Sequence, residues 1–158
     1  MKQTAILVLL LLAVPAALEA EGSQPAAPGS GRAGPEIVPL AAADRAMALA
    51  LLREAGVGFC NVDLPELPGL PPRTAFVTSE TAYVRLHGRN AKKWWEHDEA
   101  WERYDYSYTT EELSEWVPRL LEMEAEAKRL YVFANNHWEG QSIATARQLV
   151  MLLEQQES

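Results

Sequence analysis

The chain has 158 residues, 48% of them hydrophobic, enough to bury one moderate core within the usual size of a single domain. Its formal charge is −8, from 22 acidic against 14 basic side chains, which argues against indiscriminate nucleic-acid binding while leaving room for a local anion site. The single cysteine, Cys60, excludes an intramolecular disulfide and a cysteine zinc cluster.

Lys2 precedes an apolar run from Ala5 to Leu18, followed by Glu19, Ala20 and Glu21. A short positive region, an apolar stretch and a small residue near its end match a secretory signal. The run is shorter than the roughly 20 residues of a transmembrane helix, so no span is expected in the mature chain. A misassigned start, or a rearrangement that set foreign sequence before the domain, is the competing reading. Residues 21–40 are rich in Pro, Gly, Ala and Ser and read as a linker. The expected organisation is thus a signal-like segment over 1–20, a linker over 21–40 and a folded domain over 41–158.

Met47, Ala48, Leu51 and Leu52 share one face of an expected first helix, with Gly56 at the place of a C-terminal cap. Val57 to Val62 reads as a buried strand ending at Asp63, and the prolines of 65–72 then forbid regular structure. Ala82 to His87 reads as a second strand, followed by an irregular aromatic segment from Gly88 to Tyr108. Thr109 and Glu112 form a capping-box signature ahead of a stripe of Leu113, Trp116, Val117, Leu120 and Leu121. Pro118 falls inside that stripe and should kink or break the helix. Leu130 to Ala134 is a third strand. A last helix over 141–154 places Ile143, Ala146, Leu149, Val150 and Leu153 on one face.

Long connections between strands imply a parallel sheet with outer helices. Three strands cannot close a barrel, which typically needs about 250 residues, and an open parallel edge invites pairing with another chain.

Four stretches, LLREAGVGFCNVDLPELPGLPP (51–72), TAYVRLHGRN (81–90), ERYDYSYTTEELSEW (102–116) and YVFANNHWEGQSIATARQL (131–149), carry a family resemblance. In this order and spacing they resemble the C-terminal part of the YecE-like family, the domain of unknown function 72. The resemblance implies an α/β fold, a partial (β/α) TIM-type barrel of about three parallel strands whose N-terminal strands are missing. It implies no reaction, since the family has no assigned activity, and a cytoplasmic home, against the export suggested by the N-terminus.

Function in such barrels sits at the C-terminal ends of the strands. That rule singles out Asp63, Arg85, His87, Arg89, Asn135 and Asn136. Alternation sets Tyr83, Arg85 and His87 on one strand face, Asn61 with Asp63, and Tyr131 with Phe133 and Asn135. If all converge on one rim, Arg85 and Arg89 suit a carboxylate or phosphate, and His87 and Asp63 are the candidate proton carriers. The plainer reading pairs Arg85 with Asp63 to satisfy buried charge. Asn135 and Asn136, with Gly140 ahead of the last helix, suit either an anion or a turn.

Trp94, Trp95, Trp101, Tyr104, Tyr106 and Tyr108 form an aromatic insert whose commonest role is to pack a long loop. Tyr104 and Tyr106 are its candidates for stacking on a ligand. His87, His97, His137, Asp63 and Glu139 show no metal-binding spacing, so neither a metal nor a cofactor is expected. Three functions remain: a truncated family member without activity of its own, a hydrolase of a phosphate or other anionic ester, and a binding module for an anionic small molecule or nucleic acid.

Overall fold

A computed structural model describes residues 6–10 and 42–156. The export segment and linker expected over 1–40 lie outside the described residues, apart from Ile6–Leu10. In chain order the elements are β1 (Ile6–Leu10), α1 (Ala42–Glu54), β2 (Cys60–Asp63), β3 (Thr81–Leu86), α2 (Thr110–Ser114), α3 (Val117–Glu126), β4 (Arg129–Ala134) and α4 (Gln141–Glu154). Short 3-10 turns at Ala100–Tyr104 and Trp138–Gly140 interrupt the loops.

The three expected strands are present and parallel. A fourth, β1, joins them, and the sheet order is β1-β4-β3-β2. Its five residues, ILVLL, are apolar and include β-branched types, a composition that suits a strand as well as an export signal. Among the described strands β1 and β2 are the outermost.

The register fixes which side chains share a face. Cys60 lies opposite Tyr83, and Tyr83 opposite Tyr131; Val62 lies opposite Arg85, and Arg85 opposite Phe133. Asp63 pairs instead with Leu86, and Leu86 with Ala134. Side chains alternate along a strand, so Asn61, Asp63, Ala82, Val84, Leu86, Leu130, Val132 and Ala134 point to one face, where all are buried. That face meets Leu113, Trp116, Leu120 and Met123 from α2 and α3, and Leu149 and Leu153 from α4, to form the core. The opposite face carries Val62, Tyr83, Arg85, Tyr131 and Phe133, each only half-buried.

Thr109 caps α2 as its sequence predicts: the hydroxyl accepts from the Glu112 N–H at 3.2 Å, and the Glu112 carboxylate accepts from the Thr109 N–H at 2.9 Å. Thr109→Ala should cost about 1 kcal/mol, read as a lowered urea midpoint with unchanged slope. The expected break at Pro118 is also present. The helix stops after Ser114 and restarts at Val117, which leaves the proline in the first turn of α3, where its missing N–H breaks no helical bond.

Of the expected stripe, Leu113, Trp116, Val117 and Leu120 are buried and continue to Met123, whereas Leu121, expected inside, faces outward. On α4 the buried row is Ser142, Thr145, Ala146, Leu149 and Leu153, with Ile143 and Val150 on its flanks.

The first helix departs most from expectation. Met47 and Leu51 are 65% and 60% exposed, and the inward side chains are Leu49 and Leu52, both half-buried. Leu49 and Leu52 instead line a cavity shared with Cys60 and Val62 of β2. Gly56 closes the helix with φ +64°, a left-handed conformation that glycine adopts without strain.

The proline-rich connection is held by side chains rather than by regular structure. Asn61 accepts at Oδ1 from the Thr74 O–H and the Phe76 N–H, and donates from Nδ2 to the carbonyls of Phe76 and Tyr83. One buried amide thereby ties the segment ahead of β3 to β2.

Candidate functional site

The strand ends carry two separate polar constellations, one on each face of the sheet. Their division follows from the register. Asp63 belongs to the helix-facing rung, whereas Arg85 belongs to the opposite one.

Asp63 is fully buried and accepts four hydrogen bonds. Arg89 grips both oxygens, from Nε at 2.9 Å and Nη2 at 2.8 Å; the Tyr108 O–H donates at 2.9 Å and the Trp116 indole N–H at 2.6 Å. Arg89, 11% exposed, also reaches Glu115 at 2.9 Å and Glu112 at 3.6 Å. Burial opposes the Arg89 cation, but its bonds to Asp63 and Glu115 outweigh that and raise its pKa. Tyr108 is pushed well above the usual phenol range, first by burial and then by the Asp63 charge.

Two turns of chain fit around this network. The Gly88 N–H donates to the Tyr108 hydroxyl at 2.9 Å. Gly88 has φ +93°, and a Cβ there would stand 2.7 Å from the Tyr106 Cβ, so a side chain is excluded on both counts. Tyr106 donates its O–H to Glu112 at 2.5 Å, and its N–H donates to Gln141 at 2.8 Å. Burial, then that bond to Glu112, push the Tyr106 phenol up to about 12.

The other constellation faces away from the core helices. Arg85 donates from Nε to the Asn135 amide oxygen at 2.9 Å. Among the described residues no carboxylate pairs with it. The expected Arg85–Asp63 pair is therefore replaced by Arg89–Asp63, because a parallel register that aligns Asp63 with Leu86 turns the two side chains to opposite faces. On the same face, Tyr83 stacks on Tyr131 at 5.6 Å and on Phe133 at 6.4 Å.

His87 follows on the same face. Its Nδ1 is buried without a hydrogen-bond partner. Burial, reinforced by Arg85 and only partly offset by Asp63, lowers its pKa to about 4. Tyr104 lies between two imidazoles, 5.9 Å from the His87 ring and 5.5 Å from the His137 ring. Arg103 covers Tyr104 and Trp94, and Trp101 stacks on Trp138 at 3.6 Å. The aromatic insert thus joins the loop after β3 to the loop after β4.

Asn136 turns inward. It is fully buried and donates to the Tyr106 carbonyl and the Thr145 hydroxyl, both at 2.8 Å. The structure consequently brings Arg85, His87, Tyr104 and Asn135 together and sets Asp63, Arg89, Tyr106 and Asn136 apart from them. Among the described residues no three His, Cys, Asp or Glu side chains stand close enough to hold a metal, and no helix is long and apolar enough to cross a membrane.

Sequence reasoning missed Tyr108, Trp116 and Glu115 as partners of the Asp63–Arg89 pair. The aromatic floor at Tyr83, Tyr131 and Phe133 was legible in the alternation, although no role was attached to it.

The chain is similar to a DUF72 family protein of Thermotoga maritima of known crystal structure, with 42% identity and a TM-score of 0.65, over 68% of this chain and 41% of that one. A DUF72 family protein of Enterococcus faecalis is 29% identical with a TM-score of 0.63, over 72% and 43% of the two chains. The UPF0759 protein YunF of Bacillus subtilis is 33% identical over 98 residues, 58% of this chain and 35% of that protein. The chain thus spans less than half the length of these relatives, whose names carry a family and no activity. The motif resemblance and a match over residues 40–158 to the family described as "Protein of unknown function DUF72" agree, and the chain belongs to that family.

Proposed function

We propose that the four-stranded sheet is an arc of a (β/α) barrel, and that its inner wall binds an anionic ligand through Arg85. The parallel strands and the helical connection from β3 to β4 support the arc, as does the likeness to longer relatives. The observation that carries the binding reading is the state of Arg85. Its guanidinium is oriented by Asn135 and has no carboxylate partner among the described residues, whereas Arg89 is held by Asp63 and Glu115.

A planar fork held this way suits a carboxylate or phosphate oxygen pair. His87, with a pKa of about 4, is neutral at pH 7 and offers a hydrogen bond rather than a charge. Tyr104 closes the ligand's far side.

Hydrolysis of an anionic ester is the weaker reading. A general acid or base works best with a pKa near the operating pH, and His87 lies well below it. Asp63 is sealed by four donors on the other side of the sheet.

The test is titration of the chain with inorganic phosphate and with a mononucleotide, followed by tryptophan fluorescence. Arg85→Ala should abolish the change, Arg85→Lys should not restore it, and His87→Ala should keep most of it. Undiminished binding by Arg85→Ala would remove the proposal.

A further inference from the structure

We propose that a second site, the cavity lined by α1, β2 and the proline-rich segment, binds an amphipathic monocarboxylate, an apolar chain ending in one carboxylate. The cavity encloses about 470 Å³, within the range of small-ligand pockets. Leu49 and Leu52 of α1 form one wall, Phe59 and Val62 the sheet side, and Phe76 with the proline-rich segment the floor. Such a lining favours a flexible hydrocarbon, which gains by leaving water and needs no hydrogen-bond partners.

The sign of the headgroup comes from Arg45. It is the one charged side chain among the described lining residues, it is exposed at the α1 wall, and no ion pair with it occurs among the described residues. The Arg45 charge attracts a carboxylate at the mouth of this cavity and repels an amine. This site adjoins the Arg85 wall on the same face of the sheet but does not use Arg85. Arg85 does not line the cavity, although its neighbour in register, Val62, does.

Cys60 supplies the readout. It is the only thiol, it is exposed, and it lines the cavity, so an occupant should shield it. The experiment measures the rate at which a maleimide modifies Cys60 in the full chain, with decanoate or decyltrimethylammonium added below their micelle-forming concentrations. Circular dichroism checks that the fold persists.

Decanoate should slow the reaction several-fold and the ammonium should not. Arg45→Ala should raise the decanoate concentration for half-protection about tenfold, as loss of a charge-assisted contact predicts. Arg85→Ala should leave it unchanged, which separates this site from the one under Proposed function. Equal protection by the ammonium, protection that survives Arg45→Ala, protection lost with Arg85→Ala, or a Cys60 already unreactive in the ligand-free chain would each overturn the assignment.

Discussion

Asp63→Ala is expected to destabilise the fold by about 3–5 kcal/mol, the usual cost of removing one member of a buried, hydrogen-bonded ion pair. The reason is what it leaves behind. Arg89, the Tyr108 hydroxyl and the Trp116 indole N–H all aim at the carboxylate, and the last two belong to buried side chains that would lose their acceptor. Natural domains hold about 5–15 kcal/mol in total, so the variant should be largely unfolded or aggregated.

A graded series separates the charge from the hydrogen bonds. Asp63→Asn retains the shape and Trp116→Phe deletes a single donor. The second should cost about 1–3 kcal/mol, the penalty for one buried bond partner. Urea unfolding followed by fluorescence and circular dichroism gives each value. A loss below about 1 kcal/mol for Asp63→Ala would mean that water reaches the network and that the burial argument fails.

The second large effect is acid sensitivity from His87. Its folded pKa of about 4 lies below the ordinary value of 6.5, so the unfolded chain binds the extra proton more readily. The stability His87 contributes is fully present above pH 6.5, declines as pH falls through the window to about 4, and does not change further below it. At about 1.4 kcal/mol for each tenfold in proton affinity, the full swing approaches about 3 kcal/mol.

His87→Gln should flatten this part of the stability profile between pH 6.5 and 4, leaving only the carboxylate contribution at the lower end. Nitrogen-15 NMR of the imidazole reads the titration directly. A midpoint near 6.5 would show that water solvates the ring, and the neutral hydrogen-bonding role assigned to His87 would go with it.

How much of this was written in the chain varies from element to element. The capping box at Thr109 and Glu112, the break at Pro118 and the last helix over Gln141–Glu154 were all legible, because each depends on contacts within a turn or two. Family membership was legible too, from four motifs in a fixed order. The apolar stripe of α1 was read from periodicity as Met47, Ala48, Leu51 and Leu52, but which side of a helix turns inward depends on the distant segment it meets, and here Leu49 and Leu52 face the cavity shared with β2.

The candidate site divides along the same line. Period-two alternation within each strand needs only local geometry, and the chain alone determined that Asn61 goes with Asp63, Arg85 with His87, and Phe133 with Asn135. Which of those sets meet depends on how neighbouring strands slide past one another, and a shift of one residue exchanges the faces. Only the tertiary structure decided that Asp63 aligns with Leu86 rather than Arg85. The acid was thereby sent to Arg89, Tyr108 and Trp116 on the helix side, and Arg85 was left to Asn135 without a carboxylate partner among the described residues, since pairing energy between strands is a property of two distant segments that neither encodes by itself.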